Sequence, residues 1–155
     1  MTAALAASVA VACACAVRAA LRRWMVVRIR GTSMAPTLRD GDRVIARRLR
    51  PDDAVRRDDI IVFRPPAEAT APGDPAVMVK RVAAAPGEPV PLWAAGLAAS
   101  GARVPPGRVI VCGDGQRSVD SRHLGAIARP QIIARVARRP ATAATWGRRI
   151  EPKEP

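Results

Sequence analysis

The chain is poor in aromatic residues, with no tyrosine, one phenylalanine and three tryptophans among its 155 residues. Proteins that bind single-stranded nucleic acid stack bases on aromatic side chains, so this scarcity argues against such a role. The formal net charge of +13 favours an anionic partner, but the arginines are scattered rather than gathered in one stripe. We expect no nucleic-acid partner. The alternative is a non-catalytic basic module that binds nucleic acid or a membrane surface.

Cysteine and histidine are also scarce. Cys13 and Cys15 lie in an apolar N-terminal run, and Cys112 stands alone at the end of a predicted strand. This pattern is neither a disulfide framework nor a set of metal ligands. The single histidine, His123, lies in the polar run DSRHLG, and no Ser-His-Asp arrangement is evident around it. We therefore expect no metal and no cofactor.

Lysine is the most informative scarcity, because only Lys80 and Lys153 occur among 26 basic residues. Lys153 belongs to the polar tail, whereas Lys80 lies inside the apolar segment VMVKRV. Strand alternation places Lys80 on one face with Met78 and Val82. Arginine keeps its proton, but a desolvated lysine loses it more readily. Lys80 is therefore either paired with a carboxylate or a general base.

The chain lacks a long hydrophobic run. Its N-terminal segment is uncharged from Ala3 to Val17, which as a helix spans about 22 Å, less than the roughly 30 Å hydrocarbon core of a membrane. We predict that residues 1–23 form an apolar helix that anchors the protein in the cell membrane as a single pass, with membrane lipid as a partner. A helix packed on the domain is the alternative. Arg18, Arg22 and Arg23 follow the run and favour a cytoplasmic domain.

The 15 prolines and 11 glycines separate short Val- and Ile-rich runs, which is typical of an all-β fold. We predict a domain over residues 24–139, a small cap around 86–107 and a polar tail over 140–155. The strands are predicted at 25–30, 42–47, 60–63, 77–84, 108–114 and 132–139.

Between the first two predicted strands lies RIRGTSMAPTLRDGDRVIARR, residues 28–48, which contains Ser33. A serine hydroxyl is a weak nucleophile until a base removes its proton, and Ser/Lys pairs perform this chemistry beside Ser-His-Asp triads. Taken singly, Ser33 fits a turn residue and Lys80 fits a half-buried strand lysine. Their joint occurrence favours catalysis.

Four segments together resemble the type I signal peptidases, membrane-bound Ser/Lys proteases that include the mitochondrial inner-membrane peptidases and small bacterial maturation proteases. GTSMAPTLRDGDRVI resembles the nucleophile box of that family and DDIIVFRPP its next strand box. VMVKRVAAAPGE resembles the lysine box, and GDGQRSVDSRHLGAI resembles the last box. The segments follow the family order and extend from about Arg30 to Val136. The resemblance implies an antiparallel β-sheet catalytic core with a reduced cap.

The resemblance implies roles for five residues around the reacting bond. Ser33 is expected to be the nucleophile and Lys80 its general base, while the Ser33 N–H holds the oxyanion and Met34 lines the substrate pocket. Some family members carry a hydroxyl two residues before the nucleophile as a second oxyanion donor. Here that position is Gly31, so the side-chain donor is either absent or replaced by Thr32.

The resemblance also implies a supporting group of residues. Ser118 is expected to form a hydrogen bond with the Lys80 amine, while Asp120 and Arg122 form one ion pair and Asp114 and Arg81 form a second. The last box departs from the common family pattern because it is one residue shorter.

The implied function is a serine endopeptidase that removes signal or leader peptides after small residues, from an extracytoplasmic position. The precursor protein, with small residues at the first and third positions before the cut, is the expected partner. The extracytoplasmic position conflicts with the arginines after the anchor. The nearest alternative is a maturation protease for one substrate, as in leader removal from nickel superoxide dismutase.

Overall fold

The computed structural model describes Cys13, Arg18 and residues 21–73, 75–97 and 101–138. The predicted apolar helix over residues 1–23 lies mostly outside the described residues, and the predicted tail over 140–155 lies wholly outside them. Among the residues described, no helix is long and apolar enough to span a membrane.

Seven strands form one antiparallel sheet in the order β1-β2-β7-β3-β4-β5-β6. The prediction of an all-β, antiparallel fold is confirmed. The strands are β1 (Trp24–Arg28), β2 (Arg43–Arg48), β3 (Ile60–Phe63), β4 (Met78–Ala84), β5 (Arg108–Cys112), β6 (Ile127–Ala128) and β7 (Ile132–Arg138). The described elements also include one short helix, α1 (Ser121–Leu124), and 3-10 helices at Ala67–Ala69, Leu92–Leu97 and Arg129–Gln131.

Two of the predicted strands are shorter at their C-terminal ends in the structure, near the loop that carries Ser33. The predicted strand over 108–114 ends at Cys112, because residues 113–115 leave the sheet and contact the loop that carries Ser33. The predicted strand over 25–30 ends at Arg28. Strand β6 was not predicted, since two residues are too few to show an alternation.

The sheet has an apolar layer on each face. Along β3, Ile61 and Phe63 belong to one cluster, and Val62 between them belongs to the other, as strand alternation requires. Ile61 lies opposite Lys80 in the β3–β4 register, so Lys80 shares the face of the first cluster. The first cluster comprises Val55, Ile61, Phe63, Val82, Val109, Val111, Leu124, Ile127 and Ile132.

The segment between β4 and β5 holds the predicted cap, around 86–107. It contains the 3-10 helix Leu92–Leu97 and an isolated bridge between Pro89 and Arg103. Ala94 and Val104 are buried in a third small cluster against the end of the sheet. The cap boundaries, like the other domain limits, stay predictions.

Candidate active site

The loop between β1 and β2 carries Ser33. Backbone pairing between the two chain segments continues past the ends of β1 and β2 into this loop. The Ile29 N–H donates to the Asp42 carbonyl at 2.7 Å, and the Gly41 N–H donates to the Ile29 carbonyl at 3.0 Å. Met34 and Leu38 are 2% and 1% exposed and anchor the loop in the second core cluster. Ser33 is therefore held half-buried on a loop that is fixed on both sides of it.

Gly31 occupies a left-handed conformation (φ 82°), and its N–H donates to Asp40 Oδ1 at 2.7 Å. This hydrogen bond directs the Gly31 amide toward the base of the loop. Neither Gly31 nor Thr32 lies on the described wall of the pocket beside Ser33, whereas Met34 does. The oxyanion roles of Gly31 and Thr32 stay predictions.

Two glycines of the last box contact the Ser33 loop so closely that no side chain fits. The Gly115 N–H donates to the Ser33 carbonyl at 3.0 Å, and a Cβ on Gly115 would lie 2.4 Å from the Thr32 carbonyl oxygen. A Cβ on Gly113 would lie 2.1 Å from Ser118 Oγ and 2.4 Å from the Ser33 carbonyl oxygen. Neither glycine was predicted to belong to the site. Their spacing in GDG was the available signal.

Lys80 is 2% exposed, and its Nζ donates to Ser118 Oγ at 2.9 Å. No carboxylate lies within ion-pairing distance of this amine in the described part of the chain. Burial lowers the pKa of Lys80 from its ordinary value, and the negative charge of Asp120 opposes that shift only in part. The amine is thus held in the environment that favours its neutral form.

An open pocket of about 360 Å³ joins Ser33 and Lys80. One wall comes from the end of β1 and the residues after it, 27–30, and the opposite wall from residues 75–80. Val27, Ile29 and Met34 supply apolar lining beside Ser33. An extended chain fits such a groove better than a compact ligand, because strand residues line both walls, from the end of β1 on one side and the start of β4 on the other.

The segment after Ser118 is fixed by an ion pair between buried Asp120 and exposed Arg122. Asp120 is 1% exposed and accepts from Arg122 Nε at 2.9 Å and Nη2 at 2.8 Å. Burial raises the pKa of Asp120, but the hydrogen bonds from the Arg122 side chain and backbone outweigh it, so the net pKa is lowered. The Arg122 guanidinium also lies 5.8 Å from the Trp93 ring centre, which links this segment to the cap.

A second ion pair joins β4 to the last box. Arg81 donates to Asp114 through Nε at 2.9 Å and Nη2 at 2.7 Å. This two-pronged geometry fixes the turn after β5 relative to Lys80, the preceding residue on β4. The structure therefore brings together both predicted ion pairs and the predicted Lys80–Ser118 contact, while the catalytic roles of these residues stay predictions.

One buried contact of the last box was not expected from the sequence. Ser121 is fully buried, and its Oγ accepts from the Val111 N–H at 2.8 Å, which ties α1 to β5. His123, in the same helix, is exposed. In the described ranges no group of three His, Cys, Asp or Glu side chains is arranged to hold a metal ion.

A serine and a desolvated lysine amine on one pocket of a β-sheet protein are typical of serine hydrolases that use no histidine. The sequence model of the family described as signal peptidase, peptidase S26, matches residues 2–100, more than half of the chain. The chain therefore belongs to this family, and membership implies serine peptidase activity. The match includes Ser33 and Lys80 and ends before the last box. No curated protein matches the chain.

Proposed function

We propose that the protein is a Ser/Lys endopeptidase that removes signal or leader peptides from precursor proteins. The observation that carries the proposal is the state of Lys80. Its amine is buried without a carboxylate partner among the described residues and contacts Ser118 at 2.9 Å, and Lys80 lines the same pocket as Ser33. A lysine that only stabilised the fold would be expected to have a carboxylate partner or an exposed amine.

The proposed reaction begins with neutral Lys80. Its Nζ takes the proton of the Ser33 hydroxyl while Oγ attacks the scissile carbonyl carbon, and the Ser33 N–H stabilises the resulting oxyanion. The Lys80 ammonium then gives its proton to the leaving amine, so the peptide C–N bond breaks and an acyl-enzyme remains. Water, deprotonated by the same amine, hydrolyses the ester and restores Ser33. Ser118 holds the amine in place during both steps.

The pocket walls suggest how a precursor binds. Ile29 directs its N–H and C=O toward the β2 side, so the backbone groups of Arg28 and Arg30 point to the opposite edge, along the pocket. On β4, pairing with β5 begins at Arg81, which leaves residues 78–80 without a strand partner on that side in the described structure. An extended peptide can pair with these free edges.

Side-chain alternation then sets the size of two substrate residues. In a bound strand the first and third residues before the cut point toward Val27, Ile29 and Met34, while the second points outward. Substrates with small side chains at the first and third positions are therefore proposed. The single-pass anchor, the lipid contact and the extracytoplasmic position belong to the same proposal.

The test is cleavage of a panel of Ala-x-Ala precursor peptides by the full chain in detergent. Ser33→Ala is expected to lower kcat/KM at least about 10³-fold. Thr70→Ala is the control for loss of a hydroxyl, because Thr70 is an exposed residue outside the pocket and its Oγ1 donates to the Pro66 carbonyl at 2.7 Å. Equal cleavage by wild type and Ser33→Ala would remove Ser33 from the mechanism.

The breadth of the panel separates the alternatives. Cleavage of many unrelated leaders identifies a general signal peptidase, and cleavage of one leader identifies a dedicated maturation protease. A non-catalytic basic module predicts no cleavage by wild type, together with salt-sensitive binding that Ser33→Ala leaves unchanged.

A further inference from the structure

Two arginines with no assigned role line the proposed substrate groove. Arg28 and Arg30 are exposed and form part of the pocket wall beside Ser33. Neither side chain has an ion-pair or hydrogen-bond partner among the residues that the structure describes. Other arginines of the sheet, such as Arg47, Arg81 and Arg135, are each paired with an aspartate. The groove therefore carries two arginines that have no ion-pair partner among the described residues.

The alternation of buried and exposed side chains in β1 continues to Arg30. It places both arginines on the side of the groove that faces away from the core. Val27 and Ile29 are buried and belong to the second core cluster, whereas Arg28 and Arg30 between and after them are exposed. A peptide strand paired along this edge alternates in step with it. Side chains of the peptide that point away from the core therefore lie next to the two guanidinium groups.

The two acidic residues of the loop form no ion pair with Arg28 or Arg30. Asp40 accepts the Gly31 N–H, and Asp42 accepts the Arg39 N–H at 2.8 Å. No aspartate or glutamate belongs to the described pocket lining, and Arg43 lies opposite Arg28 in the strand register, which adds a further positive charge nearby.

We propose that Arg28 and Arg30 select precursor peptides with an acidic residue at the second position before the cut. This inference rests on the proposed function for the direction of the peptide and the place of the cut. The first and third side chains face the apolar wall and must be small, whereas the second faces the arginines. A carboxylate there forms a charge-assisted contact that a neutral or basic residue cannot form. An acidic residue at the fourth position extends the same contact.

The first experiment measures binding, so that it does not depend on catalysis. The full-length Ser33→Ala variant in detergent is titrated with fluorescent Ala-x-Ala peptides that differ only in having Glu, Gln or Lys at the central position. We expect the Glu peptide to bind about three- to tenfold more tightly than the Gln peptide, with Lys weakest, and the preference to shrink as salt is raised. Equal affinities for all three peptides overturn the inference.

Variants assign the preference to the two arginines. Adding Arg28→Gln and Arg30→Gln to the Ser33→Ala chain is expected to reduce the Glu preference to less than about twofold, whereas Arg56→Gln leaves it unchanged. Arg56 is the matched control because it is exposed and lies outside the pocket lining. A Glu preference that survives in the double-arginine variant overturns the assignment.

A parallel cleavage assay with Ser33 intact separates this inference from the proposed function. Cleavage without a Glu preference retains the protease and rejects the acidic selectivity. A Glu preference in binding without any cleavage retains the acidic groove and rejects the protease. Binding of the arginine variants to vesicles of anionic and neutral lipid is the remaining arm. If the arginine substitutions weaken only anionic vesicle binding, the charges serve a membrane surface and the peptide proposal is wrong.

Discussion

Lys80 and Arg81 are neighbours on β4 and face opposite sides of the sheet. The surroundings of Lys80 disfavour its positive charge, whereas those of Arg81 stabilise its positive charge. Lys80 lies on the same face of the sheet as Ile61 and Val82, and burial lowers the pKa of its amine. The guanidinium of Arg81 is paired with Asp114, where hydrogen bonding raises its pKa. Lys80 therefore loses its proton more readily than an exposed lysine, whereas Arg81 stays protonated.

The difference comes from the partner that each charge receives rather than from its sequence neighbourhood. Asp114 lies within hydrogen-bond distance of Arg81, but the nearest described contact of the Lys80 amine is the neutral Ser118 hydroxyl. Asp120 forms no ion pair with Lys80 and acts on it through its charge alone, while its oxygens accept hydrogen bonds from Arg122. A carboxylate paired with Lys80 would stabilise the ammonium form and suppress a general base.

The largest difference in kcat/KM is expected between the two reciprocal substitutions Lys80→Arg and Arg81→Lys. Lys80→Arg keeps the charge and removes the base, so kcat/KM is expected to fall at least about 10³-fold. Arg81→Lys keeps the charge and loses the two-pronged contact with Asp114, so the expected loss is less than about tenfold. Steady-state cleavage of one peptide by both variants measures the contrast. Equal losses would show that the two faces of β4 do not differ in function.

Adding a methyl group to the glycines of the last box is the next largest perturbation. In Gly113→Ala and Gly115→Ala the new Cβ meets atoms of Ser118, Thr32 and the Ser33 backbone. Displacing Ser33 from the Lys80 amine by about 1 Å is expected to lower kcat about 10²-fold. Gly96→Ala is the matched control, because a Cβ there meets nothing within 4 Å. Full activity in both variants would contradict the proposed contact between the last box and the nucleophile loop.

Removing the Ser118 hydroxyl tests how the Lys80 amine is positioned. Ser118→Ala is expected to lower kcat about tenfold and leave KM within about twofold, since the hydroxyl touches the amine and not the substrate. Ser118→Thr keeps the hydroxyl and is expected to recover part of the loss. A change confined to KM would instead place Ser118 in substrate binding.

The pH dependence gives the smallest effect and follows from the lowered pKa of Lys80. At pH values below that pKa the folded state must protonate a buried amine, so Lys80→Met is expected to stabilise the protein by at least about 1 kcal/mol at neutral pH. The unfolded chain titrates near 10.5, so the advantage is expected to shrink as pH rises from the lowered pKa toward that value.

Thermal melts of wild type and Lys80→Met between pH 6 and about pH 10 measure this difference and cancel the titration of other groups. In parallel, kcat/KM of the wild type is expected to rise with pH and level off above the Lys80 pKa, as a neutral base requires. A stability difference that is constant over the whole range would mean that Lys80 titrates normally in the fold.

Much of the β-sheet was predictable because short β-branched runs separated by proline and glycine have few other ways to bury their side chains. Alternation alone placed the Lys80 side chain on the same face as Met78 and Val82, as observed, and the strand Ile60–Phe63 was predicted with its observed bounds. The two-residue β6 and the early end of β5 were not, because both depend on contacts with residues far away in the chain.

By itself, the sequence determined which residues are available as nucleophile and base. With two lysines in the whole chain and one histidine, only Lys80 combined an amine with an apolar strand, and only Ser33 lay in a matching nucleophile box. The tertiary structure decided how deeply these residues are buried, which partners they contact and in which direction their pKa values shift. Contacts across 38 and 33 positions of the chain bring Ser118 to the Lys80 amine and Asp114 to Arg81. Desolvation and pairing depend on these long-range neighbours, because a pKa is set by what surrounds a group in space.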